Sequence, residues 1–227
     1  MRGLPQATVK TMALERFKDR YEAGRELARS LSRYAHRPGV WVLGLPRGGV
    51  PVAYEVACAL GAPLEVLIVR KLGVPGHEEL AMGAIAPGGV RVLNQELLEQ
   101  LEIEPQRLEQ VERREQVELE RRLQAYRGQR PFPDLSGKTV ILVDDGLATG
   151  ASMRAAVLAV RAMKPARIVV AVPVAPPDTC EALLELADEV KVLRQPEPFR
   201  AVGLWYEHFP QTSDEEVRDL LHRCEKG

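Results

Sequence analysis

Cysteine is scarce and scattered in this chain: Cys58, Cys180 and Cys224 stand apart, and no Cys-x-x-Cys occurs among 227 residues. An odd, unpaired set argues against a disulfide framework and a structural zinc site, and it suits a reducing compartment. Aromatic residues make up only 5% of the chain, and Asn94 is the sole asparagine. Excess charge of one sign is missing as well, since 31 Lys and Arg against 32 Asp and Glu leave a formal net charge of −1. That balance gives no reason to expect nucleic acid or an anionic membrane as partner, so any basic surface has to be local. No apolar run approaches the roughly 20 residues of a membrane-spanning helix, and Met1-Arg2-Gly3-Leu4-Pro5 opens no stretch of signal-peptide length. The expectation is a soluble, cytoplasmic protein. Two nucleotide motifs are absent too: no Gly-x-Gly-x-x-Gly opens the first strand, and Ala151 rather than Lys precedes Ser152 in the one turn that resembles a P-loop.

Hydrophobic residues make up 45% of the chain and fall in alternating strand and helix patterns. Phe17, Tyr21, Gly24, Leu27, Ala28 and Leu31 recur at three- and four-residue spacing and predict an amphipathic helix over 17–34. A short apolar run over 40–45 ends in Pro46-Arg47-Gly48-Gly49. Helical spacing then returns over 50–60 until Gly61 stops it. A second strand over 64–69 ends at Arg70-Lys71 and a loop through Gly73, Pro75, Gly76 and His77, and 80–85 with 90–93 predict a hairpin around Pro87-Gly88-Gly89. From 95 to 126 the chain is charged and helical, with a narrow apolar seam of Leu97, Leu98 and Leu101, then Leu108, Val111, Leu119, Leu123 and Tyr126 beyond Pro105. Such a helix is expected to offer a solvated face or an oligomer contact. Strands over 140–143, 167–174 and 190–193 alternate with helices over 151–163 and 177–186. The aromatic-bearing tail ends in a helix started by the capping box Ser213-Asp214-Glu215-Glu216. The pattern predicts an α/β fold with a mainly parallel central sheet flanked by helices. We expect one domain over 1–227, with a core at about 12–94 and 131–194, a helical insertion at about 95–130 and a C-terminal hood at about 195–227.

The segment Val140-Ile141-Leu142-Val143-Asp144-Asp145-Gly146-Leu147-Ala148-Thr149-Gly150-Ala151-Ser152 joins a buried strand, two carboxylates and a phosphate-sized turn. Carboxylates at the carboxyl end of a central strand can accept hydrogen bonds from the vicinal hydroxyls of a ribose. Small residues at the start of the next helix let backbone N–H groups close on a phosphate of the same sugar. This run resembles the 5-phosphoribosyl-1-pyrophosphate (PRPP) signature of the type I phosphoribosyltransferases, and the order of elements agrees over most of the chain.

The resemblance implies a site built from three loops. Asp144 and Asp145 would orient the ribose and bind metal indirectly, through PRPP or water, while Ala148, Thr149, Gly150, Ala151 and Ser152 would hold the 5-phosphate. Gly44-Leu45-Pro46-Arg47-Gly48-Gly49-Val50 is similar to the family's pyrophosphate loop, with Arg47 and Gly48 against the diphosphate. Arg70-Lys71 and the following Gly76-His77 are loosely similar to the mobile catalytic loop of orotate enzymes, so that Lys71, Glu78 and Glu79 of this loop, with Arg47 of the preceding one, would be the catalytic set. Val74 stands near that family's further Lys, which does not support orotate specificity, and Ala148 stands where hypoxanthine-guanine enzymes carry Asp, which puts a 6-oxopurine in doubt. Phe199 and Leu147 are candidate acceptor contacts.

The implied activity is Mg²⁺-assisted transfer of a 5-phosphoribosyl group from PRPP to a small nitrogenous acceptor, with pyrophosphate released, in a homo-oligomer such as a dimer. Two other readings stay open at this point: a PRPP-sensing regulator without transfer, and a phosphoribosyl hydrolase.

Overall fold

The computed structural model describes residues 15–225. Strands β1 (Val40–Gly44), β2 (Leu64–Val66), β6 (Thr139–Val143), β7 (Arg167–Val174) and β8 (Glu189–Arg194) form a parallel sheet in the order β2-β1-β6-β7-β8. Every neighbouring pair is parallel, and the register of the central pair runs from Val40 opposite Thr139 to Gly44 opposite Val143. Successive side chains of a strand point to opposite faces, and the apolar residues obey that alternation. Ile141, Val143, Val169 and Ala171 face helices α1 (Arg20–Ser30) and α2 (Gly49–Leu60). Val140, Leu142, Ile168, Val170 and Val172 face α5 (Ala151–Ala162) and α6 (Pro177–Leu184), with Met153, Val157, Val160 and Leu183 packed against them. Burial on both faces explains why these strands read as continuous apolar runs.

The expected helix over 17–34 is shorter, α1 at Arg20–Ser30 followed by a 3-10 turn at Ser32–Tyr34, while three helix ends carry the stop and start residues the sequence suggests. Asp19 caps α1 by accepting from the Glu22 N–H at 2.8 Å. Gly61, with φ +60°, takes the left-handed position that stops α2. Ser213 Oγ accepts from Glu216 N–H at 3.0 Å ahead of α7 (Asp214–Glu225), as the capping box predicts.

A second, antiparallel sheet of β3 (Arg70–Val74), β4 (His77–Ala86) and β5 (Val90–Leu93) follows β2. The expected hairpin around Pro87-Gly88-Gly89 is present. The expected loop through Gly73, Pro75, Gly76 and His77 is not, because the chain continues as β3, turns at Pro75-Gly76, and returns as β4 with Val74 opposite His77. Pro followed by Gly76 at φ +82° has the sequence signature of a type II turn, so residues that resemble a loop make a tight hairpin instead.

The charged segment forms α3 (Gln95–Gln100) and α4 (Pro105–Arg127). Its seam is core: Leu108, Val111, Leu119 and Tyr126 are buried in one cluster with Leu72, Val74, Met82 and Ile85 of the second sheet and Val217, Leu220 and Leu221 of α7. The charges on its far side pair with one another in solvent. Of the C-terminal segment, Val202 and Tyr206 lie against Gly146 and Asp145 just beyond β6, whereas α7 packs on α2, α4 and β2. Among the described residues no helix is long and apolar enough to cross a membrane.

Candidate functional site

The strand order reverses between β1 and β6, so the loops leaving these two neighbours part around a crevice, the usual ligand position in an open α/β sheet. Into it come the turn 45–48 from β1 and the carboxylates of Asp144 and Asp145 from β6. The two loops interlock at the glycines. A Cβ on Gly48 would collide with the Asp145 carboxylate, and one on Gly49 would lie 2.8 Å from both the Val143 carbonyl oxygen and Asp144 Cα. Glycine is required here for close approach rather than for a special φ. The Pro46–Arg47 peptide is cis.

Both aspartates are half-buried, and their protons are held more tightly than in a free carboxyl. Burial raises Asp144 well above the carboxylate range, and the neighbouring charge of Asp145 pushes it further. Burial also raises Asp145, but Arg20 opposes the rise, with Nε 2.9 Å from Asp145 Oδ2. The pair is therefore short of positive charge, which suits it to hydroxyl donors and a hydrated cation.

Arg20 is 8% exposed and ties the crevice to the tail. It donates to the Pro210 carbonyl at 2.6 Å and lies over the Phe209 ring, 3.8 Å from its centroid. Tyr206 donates its hydroxyl to the Asp145 carbonyl at 2.5 Å and stacks between Phe17 and Phe209. Burial raises the Tyr206 hydroxyl pKa, so it stays a donor.

Beyond Asp145 the chain reaches the start of α5. Gly150 takes φ +71° and brings no capping side chain of its own, and the side-chain contact to the first turn is a long one, from the Ala151 N–H to Thr149 Oγ1 at 3.5 Å, beside exposed Ala148, Ala151 and Ser152. Weakly capped N–H groups and the helix dipole together make an anion site. Thr179 of α6 braces the turn, its hydroxyl donating to the Ala148 carbonyl at 2.8 Å.

The structure sorts the remaining sequence candidates by position. Lys71 on β3 lines a cavity of about 550 Å³ together with Thr149, Ala151 and Arg154, which brings the hairpin to the phosphate-sized turn. Its neighbour Arg70 is directed away, bonded to Glu115 of α4 at 2.5 and 2.8 Å. The Arg47 side chain turns from the crevice towards α7, 3.8 Å from Asp214 Oδ1. Glu78 is exposed at the hairpin turn, where backbone N–H groups hold its carboxyl below the usual range and so weaken it as a base. Glu79 follows in β4, its side chain outside the described set. Phe199 lines a separate surface pocket of about 580 Å³ with Pro176, Pro177, Asp178, Pro196 and Pro198.

Leu147 is a correction. At 3% exposure it is buried among Leu45, Met153 and Ala175, because the turn after Gly146 carries it back under the sheet edge, where its N–H donates to the Val174 carbonyl. Arg20, Thr179 and Tyr206 were not among the sequence candidates. For Arg20 a signal existed, since an arginine on the apolar stripe between Phe17 and Leu27 needs a buried partner.

Comparison with known proteins shows the family and the fold. The family profile described as phosphoribosyl transferase domain matches residues 11–202. A Mycobacterium tuberculosis protein, strain H37Rv, that bears the provisional name phosphoribosyl transferase is 47% identical over 210 residues, covering 92% of this chain and 47% of that protein. The chain thus spans about half the length of the curated relatives it matches. The crystal structure of TT1426 from Thermus thermophilus superposes with a TM-score of 0.85 at 45% identity, covering 92% of this chain and 98% of that one. The AQ2163 protein of Aquifex aeolicus shares the fold at a TM-score of 0.50 and 13% identity, covering 89% of this chain and 85% of that one.

Proposed function

Because the chain belongs to the phosphoribosyl transferase domain family, we propose that it transfers a 5-phosphoribosyl group from PRPP to a small nitrogenous acceptor and releases pyrophosphate. The observation that carries this reading is one juxtaposition: two proton-hungry carboxylates packed on Gly48-Gly49, next to a weakly capped helix N-terminus. Asp144 and Asp145 accept from the ribose 2- and 3-hydroxyls. The N–H groups of 150–152 and the hydroxyls of Thr149 and Ser152 hold the 5-phosphate. The amides of 46–49 receive the diphosphate end at C1.

Bond breaking to pyrophosphate leaves positive charge on the ribose ring, and formation of the bond from the acceptor nitrogen to C1 discharges it. The protein's contribution is positioning and preorganised charge. Arg20 fixes the Asp145 carboxylate, Tyr206 fixes its backbone, and Lys71 supplies a cation as the leaving group departs. Among the described residues no group of three or more His, Cys, Asp or Glu could hold a metal by itself. Two carboxylates suit Mg²⁺, which keeps most of its waters and takes ligands from substrate phosphates. Bound through Asp144, Asp145 and the substrate, Mg²⁺ would neutralise leaving-group charge. Phe199 remains the acceptor contact, with its pocket offering a planar base an aromatic face.

The deciding experiment measures pyrophosphate release from PRPP and Mg²⁺ across purines, pyrimidines and small amines, beside a control without acceptor. Release that needs an acceptor is the expected result. Release without one makes the protein a hydrolase, and tight PRPP binding without release makes it a sensor.

A further inference from the structure

The insertion helix brings two arginines to the loop after β1. Arg121 and Arg122 of α4 line a pocket of about 280 Å³ with Pro46, Arg47, Tyr126 and Asp214. Asp214 is already engaged, accepting from the Tyr126 hydroxyl at 2.6 Å and standing 3.8 Å from Arg47. Burial and that bond lift Tyr126 to about 12, so its proton stays in place at neutral pH. Glu118, one turn back, holds Arg121 Nε and the second Arg121 nitrogen at 2.8 and 2.9 Å and Arg122 Nε at 2.7 Å. Those bonds draw the Glu118 carboxyl down to about 2 and tie both guanidinium groups to one carboxylate.

Each guanidinium has five N–H donors, so both retain donors after binding Glu118. Three arginines against Asp214 and Glu118 leave the cluster one positive charge in excess, which favours an anion, and the guanidinium donors left over suit several phosphate oxygens at once. The volume falls just under the roughly 300 Å³ at which pockets for drug-sized ligands begin, which favours a small inorganic anion.

We propose that this pocket is a diphosphate subsite in which Arg121 and Arg122 receive pyrophosphate as it leaves across the loop after β1. The proposal rests on the phosphoribosyl-transfer reading and assigns the insertion helix a role in handling the leaving group. α4 thereby does more than cover the second sheet.

The test is calorimetric titration of inorganic pyrophosphate into the full chain and into R121Q/R122Q, with sulfate at equal ionic strength as control and ribose 5-phosphate as reporter of the α5 end. The side chains of Arg121 and Arg122 are 64% and 38% exposed, and an unchanged Tm checks that the variant is folded. The expected result is pyrophosphate affinity at least tenfold weaker in R121Q/R122Q, with ribose 5-phosphate affinity within twofold. R121K/R122K, which keeps the charge and loses the fork, should fall between. Unchanged pyrophosphate affinity, equal weakening of both ligands, or sulfate bound as tightly as pyrophosphate would overturn the subsite. Arginine-dependent pyrophosphate binding in a protein that ignores PRPP and ribose 5-phosphate would instead retain the subsite and remove the transferase reading.

Discussion

Arg20 and Asp145, 125 positions apart in the chain, form an ion pair 2.9 Å long that is almost closed to solvent. One partner begins the first helix and the other ends the central strand, so the pair joins the tail-covered side of the molecule to the ligand crevice.

Removing one member of a buried pair leaves the other charge without compensation, at a cost of about 3 kcal/mol. Arg20→Met should therefore lower the urea midpoint without changing the slope, and should weaken PRPP binding because Asp145 loses its orientation. A variant as stable as the parent would mean that Asp145 finds its counter-charge elsewhere.

Asp144 carries the opposite expectation. Its folded-state proton affinity lies above that of the unfolded chain, so the stability it contributes is fully present below the ordinary carboxylate pKa, about 3.9, and is lost as pH rises through the raised value. Asp144→Asn should match or exceed the parent in ligand-free Tm at pH 7, with the gap closing towards pH 4. It should also lose the thermal shift that PRPP and Mg²⁺ give the parent. Tm curves that stay parallel across this range would show that Asp144 is not the titrating group.

The two glycines should separate stability from binding. Gly49→Ala drives a methyl against the backbone of β6, which cannot yield, at a cost of about 1–3 kcal/mol. Gly48→Ala meets the end of the Asp145 side chain instead, so it should cost less stability and proportionally more PRPP affinity. Chemical unfolding and ligand titration on both variants give the comparison, and equal losses in both would contradict the interlocked arrangement.

Lys71→Ala should reduce kcat far more than it raises the KM for PRPP, because a cation that meets a departing anion acts chiefly in the transition state. Since Lys71 stands on a paired strand, amide exchange across β3 and β4 should be slow even without ligand. Fast exchange there would restore a mobile loop. Near-parental kcat would remove Lys71 from the chemistry.

The centre of the parallel sheet is legible in the sequence because β6 and β7 are buried on both faces and read as unbroken apolar runs, whereas the edge strand β8 is only partly buried and carries Glu189, Lys191 and Arg194. The PRPP-like turn is legible because its residues are contiguous. What escapes is non-local. The hairpin of β3 and β4 depends on pairing Val74 with His77 across residues whose local character is that of a loop. The direction of Arg70 depends on Glu115, 45 residues away, and the burial of Leu147 depends on the edge of β7. The approach of Arg47 to Asp214 likewise depends on the arrival of α7, 167 positions further along the chain.

The crevice lies between strands whose paired residues, Val40 and Thr139, are about a hundred positions apart. Closing so long a span costs chain entropy before any contact repays it, which makes formation of this pair a slow step in folding. A ligand that needs both loops has nothing to hold until the pair has formed, so it should act on the native state and little on the route towards it. Its kinetic signature is then a slower unfolding rate with an almost unchanged folding rate.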